Sequence, residues 1–271
     1  MPELPEVETT LRGISPYLAG KVVHDVRIRE FRLRWPIPRN LPDLLLNQKI
    51  LKLSRRGKYL LFQFRSGHLL MHLGMSGSLR IVGAEEVPGK HDHLDIGVDD
   101  GCLLRFSDPR RFGSALWLDG DPYQHPLLKN LGPEPLAGNF CGDYLFRRSR
   151  GRTAPVKSFL MDSRVVVGVG NIYANEALFL SGIRPDRAAG KISRLRYQQL
   201  ASDVIRVLGK AIEQGGTTLK DFVGGDGKPG YFKQQLNVYG RGGEPCVSCK
   251  KALREIRLGQ RSTVFCRYCQ R

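Results

Sequence analysis

The chain has 271 residues, 43 of them Lys or Arg and 26 Asp or Glu, for a formal charge of +17. That length suits one large domain or two modest ones. The charge, with a pI near 9.9, argues for a polyanionic partner, most often nucleic acid or an anionic membrane, held in a salt-dependent way. With no run of eighteen apolar residues and no basic-then-apolar leader, we expect neither a membrane span nor a secretory signal, and hence a cytoplasmic protein.

The chain opens Met1-Pro2-Glu3-Leu4-Pro5-Glu6-Val7-Glu8. Removal of Met1 leaves Pro2 as a secondary amine. Its ordinary α-amino pKa is about 7.7–8.0, so roughly a tenth is unprotonated at neutral pH. Such an amine condenses with an aldehyde-type carbon to an iminium ion that stays charged at every pH, an electron sink for elimination. Glu3 is the candidate proton donor beside it, provided burial raises its pKa. The alternatives are a frayed terminus or a retained Met1, which would abolish the nucleophile. Against fraying, Pro5 suits the first turn of a helix, and Glu6 and Glu8 face the positive end of its dipole. Val7, Leu11, Ile14 and Leu18 continue as an apolar stripe that packs the helix on a core.

From Lys21 to about Gly120 the pattern is β-rich. Val22–Ile28, Lys49–Leu53 and Tyr59–Phe64 read as strands, and Arg65-Ser66-Gly67 joins the last to His68–Leu73 as a hairpin. Asp99-Asp100-Gly101 signals a second hairpin between His93–Val98 and Cys102–Phe106. Several strands with one N-terminal helix predict a β-sandwich with that helix packed against it. Leu131-Gly132-Pro133-Glu134-Pro135 breaks any regular element and marks a linker. Helices follow over Asp143–Arg150, Val156–Asp162, Ile172–Ser181 and, most strongly, Ser193–Gln214. The last carries Leu200, Val204, Leu208 and Ala211 on one face and Gly215-Gly216 as its stop. Gly224–Gly230 reads as a loop able to close over a ligand. The class is therefore α+β.

Cys246 and Cys249, then Cys266 and Cys269, form two C-x2-C pairs separated by sixteen residues. That is the spacing of a four-thiolate zinc site, and four protein ligands leave no open position, so one structural Zn²⁺ is expected; a redox CxxC pair is the alternative. Between the pairs, Leu253, Ile256, Thr263, Val264 and Phe265 with Arg254, Arg257 and Arg261 suggest a β-hairpin whose basic side chains reach phosphates. Cys102 and Cys141 lie outside the cluster and are expected to be reduced and mostly buried.

The stretches MPELPEVET, RRGKYLL, HLGMSGSLR, SDPRRFG, VVVGVGNIYANEALF, GGTTLKDF, DGKPGYF and QRSTVFCRYCQ, in that order, resemble the formamidopyrimidine-DNA glycosylase family over the whole chain. The resemblance implies an N-terminal catalytic β-sandwich with its packed helix at 1–131 and a linker at 132–138. A helix-two-turn-helix DNA-binding domain then spans 139–236, and a four-cysteine zinc-finger β-hairpin 237–271. It implies a monomeric base-excision-repair glycosylase with AP lyase activity on double-stranded DNA containing oxidised purines or abasic sites. Pro2 would attack C1′, with Glu3 as acid and Glu6 nearby. Lys58 would serve β-elimination and Arg261 δ-elimination, each as proton donor or phosphate ligand. The lesion would leave the helix, and Met75, Arg110 and Phe112 would fill the vacated stack. Asn171 would bind phosphate in the helix-two-turn-helix, and Lys157, His91 and the Arg150/Arg152 cluster are further phosphate candidates. The loop Thr217–Tyr231 would cover the flipped base.

Each residue also has a plainer reading. Lys58 alone is a solvated strand charge, Met75 and Phe112 are core packing, and Asn171 is a helix N-cap. His24, His68, His72 and His125 read as structural or surface residues, and Arg148–Arg152 as a solvated face. Two rival functions fit parts of the pattern. An endonuclease VIII-like glycosylase for oxidised pyrimidines shares the Pro-Glu start and the zinc finger. A noncatalytic zinc-ribbon DNA-binding protein explains charge and cysteines but not Pro2-Glu3 or Lys58.

Overall fold

The computed structural model describes residues 2–215 and 236–271. The expectations for Gly216, Gly224–Gly230 and Thr217–Tyr231 therefore lie outside the described residues. The chain forms two compact units, one of residues 2–129 and one of Asn130–Glu213 with 236–271.

In the first unit, helix α1 (Leu4–Leu18) buries Val7, Ile14 and Leu18, with Leu11 partly buried. The apolar stripe places its face as expected. Eight strands follow: β1 (Val23–Ile28), β2 (Lys52–Arg56), β3 (Tyr59–Gln63), β4 (His68–His72), β5 (Ser78–Gly83), β6 (Asp92–Val98), β7 (Cys102–Ser107) and β8 (Ser114–Leu118), with a short helix α2 (Leu41–Leu45) after β1. They form two antiparallel four-stranded sheets, in the orders β1-β6-β7-β5 and β2-β3-β4-β8. Alternate residues of each strand point one way. Leu60 and Phe62, Leu69 and Met71, Leu94, Ile96 and Val98, and Leu104 and Phe106 thus join α1 in one core.

Two expectations are corrected here. The strand expected at Lys49–Leu53 enters its ladder only at Lys52, opposite Gln63. Lys49 instead bridges Val22, and Ile50 exchanges backbone hydrogen bonds with Gly20 and Lys21. The strand then runs on to Arg56 because its polar end meets α1, as described below. Cys102 and Cys141 are not mostly buried: Cys102 is half-buried at the start of β7, and Cys141 is exposed as a helix N-cap.

The second unit contains α3 (Gly142–Ser149), α4 (Val156–Met161), α5 (Asn171–Leu180) and α6 (Arg194–Glu213), then the hairpin β9 (Arg254–Leu258) and β10 (Arg261–Phe265). Helix α6 buries Leu200, Val204, Leu208 and Ala211 and packs on α3 and α5. The hairpin turn Gly259-Gln260 has both φ values positive, +52° and +62°. That is the type I′ geometry that matches the right-handed twist of paired strands, and it puts Arg261 opposite Leu258 at the tip. The buried Glu176 of α5 accepts hydrogen bonds from the Asn237 N–H and Nδ2, and from the Val238 and Tyr239 N–H groups, at 2.8, 2.9, 2.9 and 2.9 Å. A carboxylate this well satisfied fixes the chain that leads into the cysteine pairs. Among the described residues no helix is long and apolar enough to cross a membrane.

Candidate active site and nucleic-acid interface

Pro2 is buried immediately ahead of α1. Glu3 is the N-cap and forms a reciprocal capping box with Glu6; its backbone N–H donates to the Glu6 carboxylate at 2.8 Å. Glu3 is 2% exposed and Glu6 0%, so a terminus that would otherwise fray is fixed with two carboxyl groups around it. One turn on, Glu8 accepts from Arg12 and Arg55, each at 2.9 Å. Burial raises the Glu8 pKa, but the Arg55 and Arg12 hydrogen bonds and charges outweigh it and leave the carboxyl below its ordinary value. Arg55 also donates to the Gly57 carbonyl at 2.9 Å. Gly57, at φ +58°, opens the two-residue turn Gly57-Lys58 between β2 and β3, and glycine at that first turn position is what a type II′ hairpin requires. One guanidinium thus links the helix that begins behind Pro2 to the turn that carries the half-buried Lys58.

The register of β3 and β4 sets Tyr59 opposite His72, with ring centroids 4.9 Å apart. The Gly74 N–H donates to His72 Nδ1 at 3.0 Å, which assigns the ring proton to Nε2. Burial first, and then the positive charges of Lys58 and Arg34, lower the His72 pKa to about 4, so this imidazole is neutral at physiological pH. Arg34, Trp35, Tyr59, His72, Phe112, Ser114 and Leu127 line a cleft of about 100 Å³. Sequence reasoning left His72 among the structural histidines and did not single out Arg34. Counting back from the Arg65–Gly67 turn pairs His72 with Tyr59, next to Lys58, and that was the available signal.

Met75, His91, Arg110 and Phe112 are brought together around Asp108. The buried Asp108 carboxylate accepts from Ser76 Oγ at 2.9 Å, the Gly113 N–H at 2.7 Å and the Arg110 N–H at 3.3 Å. Its own N–H donates to the His91 carbonyl at 2.9 Å. Gly74, at φ +64°, lets the Met75 turn lie directly on the Phe112 turn, because a Cβ there would sit 2.5 Å from the Phe112 carbonyl carbon. The Arg110 guanidinium stacks over the Phe112 ring at 4.9 Å, and that ring is 41% exposed. An exposed aromatic on a rigid mount suits insertion between bases. Asp108 was missed, although an Asp opening a Pro-containing turn is a recognisable signal.

In the second unit three expected site residues meet at the base of the hairpin tip. Lys157 is 1% exposed, and its Nζ donates to the Ser262 carbonyl at 2.9 Å and to Thr263 Oγ1 at 2.6 Å. Asn171 Nδ2 donates to the same carbonyl at 3.1 Å. Asn171 is the first residue of α5, whose N-cap is Gly170, so it does not serve as the cap itself. Arg261 is exposed beside this node. Arg150 folds back onto its own unit, over the Phe146 ring at 3.9 Å and onto the Ile192 carbonyl at 2.9 Å; Arg152 is exposed.

The Sγ atoms of Cys246, Cys249, Cys266 and Cys269 all lie within 4.8 Å of one another, with Cys249 to Cys266 at 3.4 Å and Cys246 to Cys269 at 3.9 Å. Tetrahedral Zn–S bonds of about 2.3 Å place sulfurs roughly 3.8 Å apart, so the cluster fits one structural Zn²⁺. Burial raises the Cys246 pKa, but the Cys249 and Ser248 N–H groups outweigh it and bring the thiol to about 7. Burial and the neighbouring sulfurs push Cys269 up to about 12. Four sulfurs this close cannot all ionise without a cation, which is the chemistry of a metal-holding set.

Three family models match the chain: the formamidopyrimidine-DNA glycosylase N-terminal domain at residues 1–115, the formamidopyrimidine-DNA glycosylase H2TH domain at 131–223, and a zinc finger found in FPG and IleRS at 243–271. Among curated relatives, the formamidopyrimidine-DNA glycosylase of Stutzerimonas stutzeri is 61% identical over 271 residues, with all of each chain covered. Among solved structures, the MutM (Fpg) protein of Thermus thermophilus is 37% identical, with a TM-score of 0.89 over 99% of this chain and 98% of that one. A complex of the wild-type Lactococcus lactis Fpg (MutM) with DNA containing a benzylated Fapy-dG is 32% identical, with a TM-score of 0.91 and both chains fully covered.

Proposed function

This chain belongs to the formamidopyrimidine-DNA glycosylase family, and from that premise we propose that it is a cytoplasmic, monomeric base-excision-repair enzyme. It removes oxidised purines, 8-oxoguanine and formamidopyrimidines, from duplex DNA and nicks the resulting abasic site. The observation that carries this reading is the buried Pro2 beside the Glu3–Glu6 capping box, on a helix linked through Arg55 to the Lys58 turn. Removal of Met1 would leave a terminal amine in this fixed setting, and a binding module has no use for one. The assigned domains are 1–131 for catalysis, 132–138 as linker, 139–236 for DNA binding and 237–271 as zinc finger.

With Met1 removed, the Pro2 nitrogen bonds C1′ as the bond from C1′ to the base breaks. Glu3 supplies the proton, to the sugar ring oxygen or the base, and the opened sugar is held as an iminium. Loss of a C2′ proton pushes electrons toward the iminium and breaks the C3′–O bond, releasing a 5′-phosphate end; Lys58 is the proton donor or phosphate ligand for this step. A second elimination breaks the C5′–O bond with Arg261 in the same role and leaves a 3′-phosphate end, and water then hydrolyses the iminium and frees Pro2. His72, neutral at this pH, adds a hydrogen-bond donor without adding charge. Met75, Arg110 and Phe112 fill the stack left by the flipped nucleotide, while His91, Arg152 and Asn171 hold phosphates. Lys157 is buried against Ser262 and Thr263 and serves DNA binding by holding the hairpin. Zn²⁺ on Cys246, Cys249, Cys266 and Cys269 supplies a fixed crosslink at the base of that hairpin.

The test is strand scission of duplexes carrying a single 8-oxoguanine or a single oxidised pyrimidine, with analysis of the ends. The expected result is faster cleavage at 8-oxoguanine, leaving phosphate on both sides of a one-nucleotide gap. Preference for the pyrimidine duplex would reassign the substrate, and binding without scission of either would remove the enzyme reading.

A further inference from the structure

The unit of residues 130–213 and 236–271 has a second concentration of positive charge. Arg184, Arg187, Arg267 and Arg271, with Asp186 and Gln270, line a cavity of about 490 Å³. It is built from two segments fastened together. The buried Gln270 donates to the Ile183 carbonyl and accepts from the Cys266 N–H, both at 2.8 Å, and the Arg271 N–H donates to the Gly182 carbonyl at 2.8 Å. The four guanidinium groups face one side-chain carboxylate, Asp186, which Arg184 holds through two hydrogen bonds of 3.1 and 2.6 Å. Among the described residues no carboxylate pairs with Arg187, Arg267 or Arg271. Arg187 also crowds Arg196, whose pKa is lowered by burial and then by the Arg187 charge. This cavity therefore carries an excess of fixed positive charge.

Its Gln270 and Arg271 side lies at the far end of α5 from Asn171, while its Arg184–Arg187 side is fastened to the Lys157 segment, the Val156 N–H donating to the Arg187 carbonyl at 2.7 Å and the Lys157 N–H to the Pro185 carbonyl at 3.2 Å. Helix α5 and strand β10 run side by side: Asn171 meets Ser262 at one end, and Ile183 meets Gln270 at the other. The ten residues of α5 span roughly 15 Å. A helix start that grips a phosphate points its far end away from that phosphate.

We propose that this cavity docks an acidic segment of a partner protein, taking two or more successive side-chain carboxylates. Arginine forks match carboxylates bidentately, and the Arg184–Asp186 pair already shows that geometry inside the cavity. A single nucleic-acid strand wants aromatic faces for its bases. None of the six lining residues is aromatic; the ring of Phe265 lies buried beneath Arg184, 5.7 Å from its guanidinium.

The probe is a dye-labelled, end-capped tetra-aspartate peptide titrated against the full-length, zinc-loaded protein by fluorescence anisotropy, with tetra-asparagine as control. Tetra-aspartate should bind free protein and protein saturated with duplex DNA with the same Kd, and tetra-asparagine should not bind. The substitutions R187Q and R267Q, both at exposed positions, should each weaken it at least fivefold while leaving lesion-duplex nicking within twofold. Displacement of the peptide by duplex in proportion to occupancy would overturn the proposal, as would binding indifferent to both substitutions. So would an oligothymidine tetranucleotide that binds duplex-saturated protein, loses binding in R187Q and R267Q, and outcompetes the peptide. Failure of nicking with wild-type peptide binding intact would count against the enzyme reading alone.

Discussion

The two units bury their ionisable groups to opposite ends. Residues 2–129 take Glu3 and Glu6 out of water and half-bury His72 in a cleft, where its pKa falls to about 4. Residues 130–213 and 236–271 bury Lys157 and Glu176 to anchor backbone and the Thr263 and Asn237 side chains, and leave Arg261 and Arg152 in solvent. Chemistry needs proton affinities tuned by burial, whereas grip on a polyanion needs charges presented on a rigid frame. The same residue types therefore serve different purposes according to what surrounds them.

Four perturbations separate the two. Zinc removal by a chelator should have the largest effect, since structural zinc contributes on the order of 10 kcal/mol to the folding of small finger modules. Hydrogen exchange should then report an open hairpin at 254–265 and a lost lesion-duplex affinity, with the sandwich unit still protected. Equal loss of protection in both units would break the comparison. Next, Pro2→Gly replaces the secondary amine with a primary one, whose imine can lose its proton and with it the fixed cationic sink. Single-turnover cleavage should fall roughly a thousandfold, about 4 kcal/mol, while affinity for undamaged duplex stays within twofold.

Third, the folded-state pKa of His72 lies below its unfolded value of 6.5, at about 4. Above pH 6.5 both states are neutral and His72 contributes no pH dependence. As pH falls from 6.5 to 4 the unfolded chain takes up a proton that the folded chain refuses, so stability drops by roughly 3 kcal/mol. Urea titrations at pH 7.5 and 4.5 should show most of that loss in the wild type and a smaller one in His72→Gln. Finally, Lys157→Met should lower stability by roughly 2 kcal/mol through its lost charged hydrogen bonds and weaken DNA binding without changing its salt dependence. Arg261→Ala should instead reduce the slope of log K against log salt by about 0.9, one phosphate contact. A reduced slope for Lys157→Met would make that lysine a phosphate ligand and blur the distinction.

What the sequence showed clearly was periodic or motif-bound. The Val7, Leu11, Ile14 and Leu18 stripe, the strong α6 pattern and the paired cysteines each depend on local spacing, which the fold preserves. Long-range pairing was not legible. Lys157 reads as a surface cation until a partner 106 residues away, Thr263, accepts its hydrogen bond. His72 reads as an ordinary strand histidine until the hairpin register sets it near Lys58. Cys141 looked like a core thiol because isolated cysteines usually are, but its helix starts at the surface. The β2 boundary slipped because its second half is held by ion pairing to Glu8 rather than by an apolar face.

The central claim is that Pro2 is the nucleophile, and the most direct test traps it. Protein confirmed to begin at Pro2 and to hold zinc is mixed with 8-oxoguanine duplex and borohydride, then weighed intact and mapped by peptide. Reduction turns an iminium into a stable amine, so a one-to-one protein–DNA adduct should form and map to Pro2. An adduct on Lys58 or another lysine, or none with 8-oxoguanine, oxidised-pyrimidine and abasic duplexes alike, would contradict it.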